Sequence, residues 1–235
     1  MPKISVIMPV YNGIRFLGEA IESILNQTET DFEFIIMDDG STEPVLGKIQ
    51  SCQDSRIRAY RSDKNEGLTT RLNDCLDLVR GDFIVRMDGD DISHPMRLEK
   101  QLHLFEKGVG FVGCWGNSID IKGNPIIHYV DTHCRCTNED LEKIYPYTHC
   151  MIDASIMFTR EVFNKIGYYD LGTFHGESYN YCRRIQQFYK GWVCCEVLYT
   201  RRVGSSIAPR QDGIDIFALA NQRALSHTII KEKRL

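Results

Sequence analysis

The chain has 235 residues, 43% hydrophobic and 26% charged, enough for a sizeable core and ordinary for a water-soluble globular protein. A formal net charge of −4 argues against a general nucleic-acid binder, which needs a basic face to neutralise phosphates, and no apolar run approaches the roughly 20 residues that span a bilayer. Nine cysteines suggest reduced thiols in a cytoplasmic setting rather than a disulfide scaffold, and neither Cys134-Arg135-Cys136 nor Cys194-Cys195 has the two-residue gap usual in structural zinc sites.

The opening Met1-Pro2-Lys3-Ile4-Ser5-Val6-Ile7-Met8-Pro9 is too short and too Pro-interrupted for a signal peptide, and Ile4 to Val10 reads as a buried strand. Tyr11-Asn12-Gly13 breaks it. Phe16, Leu17, Ala20, Ile21, Ile24 and Leu25 then recur at helical spacing. A second strand, Phe32 to Met37, runs into Asp38-Asp39-Gly40-Ser41. Strand, helix, strand at this spacing is a βαβ unit with parallel strands, whose ligands bind beyond the carboxyl ends. Arg56 to Tyr60 reads as a third strand and Asn65-Glu66-Gly67 as a turn. Leu68, Leu72, Cys75, Leu76 and Val79 mark one face of a helix, with Gly81 as its left-handed closing residue. Arg71 falls on the other side of that helix, either reaching the strand-end edge or standing as a solvated charge.

Phe83-Ile84-Val85-Arg86-Met87-Asp88-Gly89-Asp90-Asp91 is the most informative stretch. An apolar run stops in a cluster of carboxylates, and such charge at a sheet mouth must be paired, solvated or bound to a cation. Gly89 permits a tight turn and leaves room for a bulky ligand. Carboxylate oxygens suit hard divalent cations, and Mg²⁺ typically takes one or two plus substrate phosphates. The stretch therefore reads either as a metal-diphosphate site or as a strand end that caps the next helix. Ser93 as N-cap and Pro95 near the first position begin that helix, which Gly108 ends.

The second half is less regular. Strands are expected over Val109 to Cys114, Ala154 to Phe158 and Val193 to Tyr199, with a turn at Lys122-Gly123-Asn124-Pro125. Helices are expected from Thr137-Asn138-Glu139-Asp140, over Glu161 to Ile166, and over Glu177 to Tyr189. The segment Ile214 to Ile230 carries apolar residues at helical spacing that could dock on the core, form a homodimer, or touch a membrane beside a lipid-linked acceptor.

Taken together, Ser5-Val6-Ile7-Met8-Pro9-Val10-Tyr11-Asn12, Met37-Asp38-Asp39-Gly40-Ser41, Asn65-Glu66-Gly67 and Asp88-Gly89-Asp90 resemble, in order and spacing, the family 2 glycosyltransferases of GT-A fold. The resemblance implies an α/β fold: a mostly parallel Rossmann-like sheet flanked by helices, with a smaller antiparallel acceptor-side portion. It implies one domain, with residues 1–110 binding a nucleotide sugar, 111–210 the acceptor, and 211–235 forming a tail. It implies inverting, metal-dependent transfer from a UDP- or dTDP-sugar to a saccharide or glycan hydroxyl. Pro9 and Tyr11 would line the base pocket, and Asp39 would accept the uracil N3–H, since a carboxylate accepts and cannot donate. Arg71 would pair with base or phosphate, Asp88 would hold ribose or metal, and Asp90 would bind Mn²⁺ or Mg²⁺ directly. Asp91 caps a helix or joins them.

The second half departs from the family pattern. Relatives carry an acidic pair at the start of a late helix; here Ser178 takes the second acidic place if Arg184 aligns with the family's arginine, whereas aligning Arg183 puts Glu177 in the base position, and Glu177 is the favoured base over a helix-dipole role. The stretch Tyr199 to Ser206 lacks the His that many relatives use as an extra metal ligand; Arg202 could meet the diphosphate instead. Asp153-Ala154-Ser155 replaces a His-Pro-Ser-like acceptor segment, so Asp153 and Trp115, an apolar ring suited to sugar faces, are donor-sugar or acceptor candidates. His149 and His175 are further pocket candidates. Two alternatives stay open: a degenerate domain that binds nucleotide sugar without turnover, and a flavodoxin-like signalling domain with Asp38 as phosphoacceptor.

Overall fold

The computed structural model describes residues 1–126, 141, 151–173 and 176–205. The helix expected from Thr137, the residues His149 and His175, and the segment from Ile214 to Ile230 lie outside the described residues.

The chain opens with β1 (Ile4–Val10), α1 (Ile14–Leu25), β2 (Phe32–Asp38), α2 (Val45–Gln50), β3 (Ile57–Arg61), α3 (Leu68–Leu78) and β4 (Phe83–Arg86). It continues through β5 (Ile92–Ser93), α4 (Arg97–Leu104), β6 (Phe111–Ile119), β7 (Met157–Thr159), α5 (Arg160–Ile166), α6 (Glu177–Ile185) and β8 (Gly191–Arg202). The strands form one eight-stranded sheet in the order β3-β2-β1-β4-β7-β6-β8-β5. The first four strands of that order are mutually parallel; β7 runs antiparallel to β4 and β6, and β5 antiparallel to β8.

Every residue of β1 and β2 is buried, as expected of strands covered on both faces. Their side chains alternate: Val6, Met8, Phe34 and Ile36 pack with Leu17, Ala20, Ile21 and Ile24 of α1. Ile7 and Ile35 face the other way, toward Leu72 and Leu76 of α3, in a second apolar cluster that also holds Tyr181 and Ile185 of α6. Because Val10 pairs with Asp38 and Ile7 with Arg86, the segments after β1, β2 and β4 emerge on one rim.

Several boundaries differ from the sequence expectation, each for a physical reason. Ser93 is a strand residue of β5, and α4 starts at Arg97 with no side-chain cap from its own flank. Its Leu98 amide donates to Gln27 Oε1 from the end of α1 at 3.0 Å, so capping comes from across the fold. Asp91 does not cap a helix: Oδ1 accepts the Arg202 amide at 2.7 Å. Gly81 does not close α3 in a left-handed conformation; a Cβ there would lie 2.6 Å from the Ile4 carbonyl carbon, so the close approach of β1 requires glycine. The short α2 has too few apolar positions to show a period. In the second half β6 and β8 run longer than their apolar cores, over nine and twelve residues, because each pairs with the other. Residues 153–155 form a 3₁₀ turn before β7, and α6 stops at Ile185.

Candidate active site

A cleft of about 450 Å³ opens at the carboxyl rim of β1, β2 and β4. Pro9, Tyr11, Asp39, Arg71, Asp88 and Asp90, six of the residues singled out in the sequence, line it together.

Asp39 follows directly from buried β2 and is itself 3% exposed. Its Oδ1 accepts the Glu66 amide at 2.9 Å and Arg71 Nε at 2.7 Å, and its Oδ2 accepts the Gly67 amide at 2.9 Å. The carboxylate thus builds the Asn65-Glu66-Gly67 wall and keeps one acceptor direction on Oδ2 for a further donor. Arg71 is buried, not solvated, and its guanidinium also pairs with Glu66 and Asp74. Burial opposes its charge, but Asp39, Asp74 and Glu66 outweigh that and hold its pKa above the ordinary arginine value. Asp38 points elsewhere: it is fully buried, accepts the Ser41 amide at 2.9 Å, and pairs with Arg61 at 2.6 Å. A phosphoacceptor must meet its phosphodonor, so this placement removes the signalling-domain alternative.

The other wall is the Asp88–Asp91 loop. Gly89 is not in a left-handed turn; a Cβ there would lie 3.0 Å from Val10 Cγ2, so the glycine lets the loop lie flat against β1 on the cleft floor. Asp90 Oδ2 accepts the Ser205 hydroxyl at 2.5 Å. Burial, and after it the charge of Asp88, push the Asp90 carboxyl above the ordinary aspartate range. Burial and the charges of Asp90 and Asp88 push Asp91 well above it. Among the described residues no three His, Cys, Asp or Glu side chains converge as a metal group. The fit to a divalent ion is a two-carboxylate one: Asp88 and Asp90 face the same cleft, Asp88 opposes ionisation of Asp90, and a cation relieves that cost.

The fold is shared with known structures. TarS residues 1–349 from S. aureus superposes with a TM-score of 0.69 at 19% identity, over 85% of this chain and 60% of that one, and has also been crystallised with UDP and with UDP-GlcNAc. The family model for glycosyl transferase family 2 matches residues 5–167. The chain belongs to glycosyl transferase family 2.

The fold is GT-A. Among relatives, the putative glycosyltransferase EpsE of Bacillus subtilis is 45% identical over 109 residues, 45% of this chain and 39% of that protein. The O-antigen biosynthesis glycosyltransferase WbnJ of Escherichia coli is 32% identical over 188 residues, 77% of this chain and 71% of that protein. The chain thus spans less than half of EpsE and about three fifths of the TarS chain. Among the described residues no helix is long and apolar enough to cross a membrane.

In this family 2 domain the remaining candidates lie outside the cleft lining. Glu177 is the first residue of α6, 7% exposed, and its Oε1 accepts Arg86 Nη1 at 2.7 Å. Ser178 Oγ accepts the same Nη1 at 2.5 Å. Asp153 begins the 3₁₀ turn and acts electrostatically on the same guanidinium. Trp115 sits at a β-bulge in β6, half-buried against the α3/α6 side of the core. Arg202 is buried beneath the acidic loop: Nε donates to the Asp90 carbonyl at 3.0 Å, Nη2 pairs with Glu19 at 2.5 Å, and the guanidinium lies 4.3 Å from the Phe16 ring centroid. It shapes the loop from behind.

Sequence reasoning missed four residues. Arg86 is the fully buried hub between Asp88 and Glu177. Arg97, fully buried, donates to the Arg86 carbonyl at 2.7 Å and faces the Tyr199 ring. Arg15 lines the cleft, with Nη2 on the Ile121 carbonyl at 3.1 Å. Ser205 holds Asp90. The one available signal was position: Arg86 ends an apolar strand two residues before the first acid, where an unpaired charge could not be buried.

Proposed function

We propose that this domain moves a sugar from a nucleotide-diphospho-sugar, UDP- or dTDP-linked, to a hydroxyl of a saccharide or glycan acceptor, with inversion at the anomeric carbon. Surface polysaccharide or glycan synthesis is the setting, the acceptor being free or lipid-linked. The observation that carries the reading is the cleft that gathers Pro9, Tyr11, Asp39, Arg71, Asp88 and Asp90 on one sheet rim. The base would lie between Pro9 and Tyr11, its imide N–H on the open direction of Asp39 Oδ2. Arg71, paired with Asp39 at 2.7 Å, keeps that carboxylate in place. Asp88 and Asp90 would hold Mn²⁺ or Mg²⁺, and the bound cation supplies a Lewis acid for the departing diphosphate. Asp88 would also meet the ribose. Arg202 keeps the Asp90 loop in position through its carbonyl contact. Glu177 would take the proton of the acceptor hydroxyl, with Asp153 and Trp115 on the acceptor side.

A second reading, nucleotide-sugar binding without turnover, has its own support. With Arg184 aligned to the family's arginine, Ser178 takes the second acidic place, and Glu177 turns its carboxylate to buried Arg86 rather than into the cleft lining. One experiment separates the two. The chain is incubated with a panel of nucleotide sugars and Mn²⁺, and release of nucleoside diphosphate is followed, with and without saccharide acceptors. The first reading expects release from one donor class, at least about 100-fold slower in Glu177→Gln. Donor binding with release no faster than the buffer blank selects the second reading.

A further inference from the structure

Arg86 is not assigned a role by the chemistry above, yet its side chain contacts both Asp88 and Glu177. It ends β4, is 2% exposed, and its guanidinium spans the gap between cleft and α6. On one side Nε and Nη2 lie 3.2 and 3.1 Å from the same oxygen, Oδ1 of Asp88. On the other, Nη1 is shared by Glu177 Oε1 and Ser178 Oγ. As an arginine guanidinium it stays a cation at any working pH. The strand carrying it is pinned from below by Arg97, which donates to the Arg86 carbonyl.

A rigid, planar, permanently charged fork fixes the geometry of what it holds. Resting on the proposed nucleotide-sugar reading, we propose that Arg86 is a positioning residue that couples the donor site to Glu177. By occupying Oδ1 of Asp88 it turns Oδ2 of that carboxylate toward the donor. By holding Oε1 of Glu177 it sets the distance from that carboxylate to the donor. Ser178 fits the same account: with Asp88 and Glu177 paired directly to one guanidinium and Asp153 acting on it electrostatically, a neutral acceptor completes the fork without adding a further negative charge.

The test is a double-mutant cycle read by the Kd of UDP with Mn²⁺, measured by calorimetry. Glu177 does not line the cleft, so a purely local role leaves nucleotide affinity unchanged in Glu177→Gln. Coupling through Arg86 predicts that Glu177→Gln shifts that Kd by roughly 3- to 10-fold, and that the shift falls below about twofold in an Asp88→Ala background. Arg86→Lys, which keeps the buried charge but loses the fork, should show the same pattern with a larger shift. Should the lysine variant fail to fold, the first cycle still decides, since it leaves Arg86 in place. Equal shifts in both backgrounds, or none in either, overturn the coupling. Failure of the wild-type chain to bind any nucleoside diphosphate with Mn²⁺ overturns the functional reading itself and the coupling with it.

Discussion

Asp39 and its neighbour Asp38 show how two identical side chains acquire different work. Consecutive strand-end residues point to opposite sides, so Asp38 goes into the sheet to meet Arg61 and Ser41, and Asp39 goes over the rim to meet Glu66, Gly67 and Arg71. In Asp39→Asn the amide can keep its oxygen toward Glu66 and Arg71, but its NH₂ then faces the Gly67 amide, donor against donor. Arg71 would keep only Glu66 and Asp74 as counter-charges. The variant should lose about 2–3 kcal/mol of stability, seen as a lower urea midpoint with an unchanged m value. An unchanged midpoint would mean that Asp39 does not build this wall. At this scale the sequence showed which acids matter, because acids after apolar runs are conspicuous. It hid Arg71's burial and Arg86's centrality, because a buried arginine and a surface one are the same letter until their partners are known.

Elements are held in register by polar side chains acting at a distance. Gln27, just past α1, donates through Nε2 to the Ser23 and His94 carbonyls and to Ser93 Oγ, and accepts the Leu98 amide that α4 leaves open. It thereby joins α1, β5 and the start of α4, directly after the acidic loop. Gln27→Ala should cost about 2–3 kcal/mol and expose the α4 amides to faster hydrogen exchange; exchange at Leu98 as slow as in the wild type would contradict this. Elements with local signals were readable: α1 carries its apolar stripe, and β1 and β2 are unbroken apolar runs. Those made by distant pairing were not. β8 contains Glu196, Thr200, Arg201 and Arg202 and is a strand over its full length because β6 and β5 pair with it. β7 has only three residues and owes its existence to β4 and β6 on either side. The expectation of Ser93 as a helix cap failed for the same reason, since β8 draws that residue into a strand.

For the whole molecule, the parallel half of the sheet sets a cleft of about 450 Å³ at its rim, and the start of α6 brings Glu177 onto Arg86 at the end of β4. Family and fold were legible from four short motifs because each motif marks a place where one strand or helix meets the rim. The surroundings of Glu177, Asp153 and Trp115 were less legible, because these residues come from a helix start, a turn and a bulge that no short pattern connects. The central claim is that Asp39, Asp88 and Asp90 form one nucleoside-diphosphate site with a divalent cation, and thermal unfolding with UDP, with Mn²⁺ and with both tests it most directly. At about 100 times Kd the pair should raise Tm by roughly 5–10 °C, more than either alone, and Asp90→Ala should abolish the increment due to Mn²⁺. No rise with UDP, dTDP or any other nucleoside diphosphate, or a Mn²⁺ increment that survives Asp90→Ala, would contradict it.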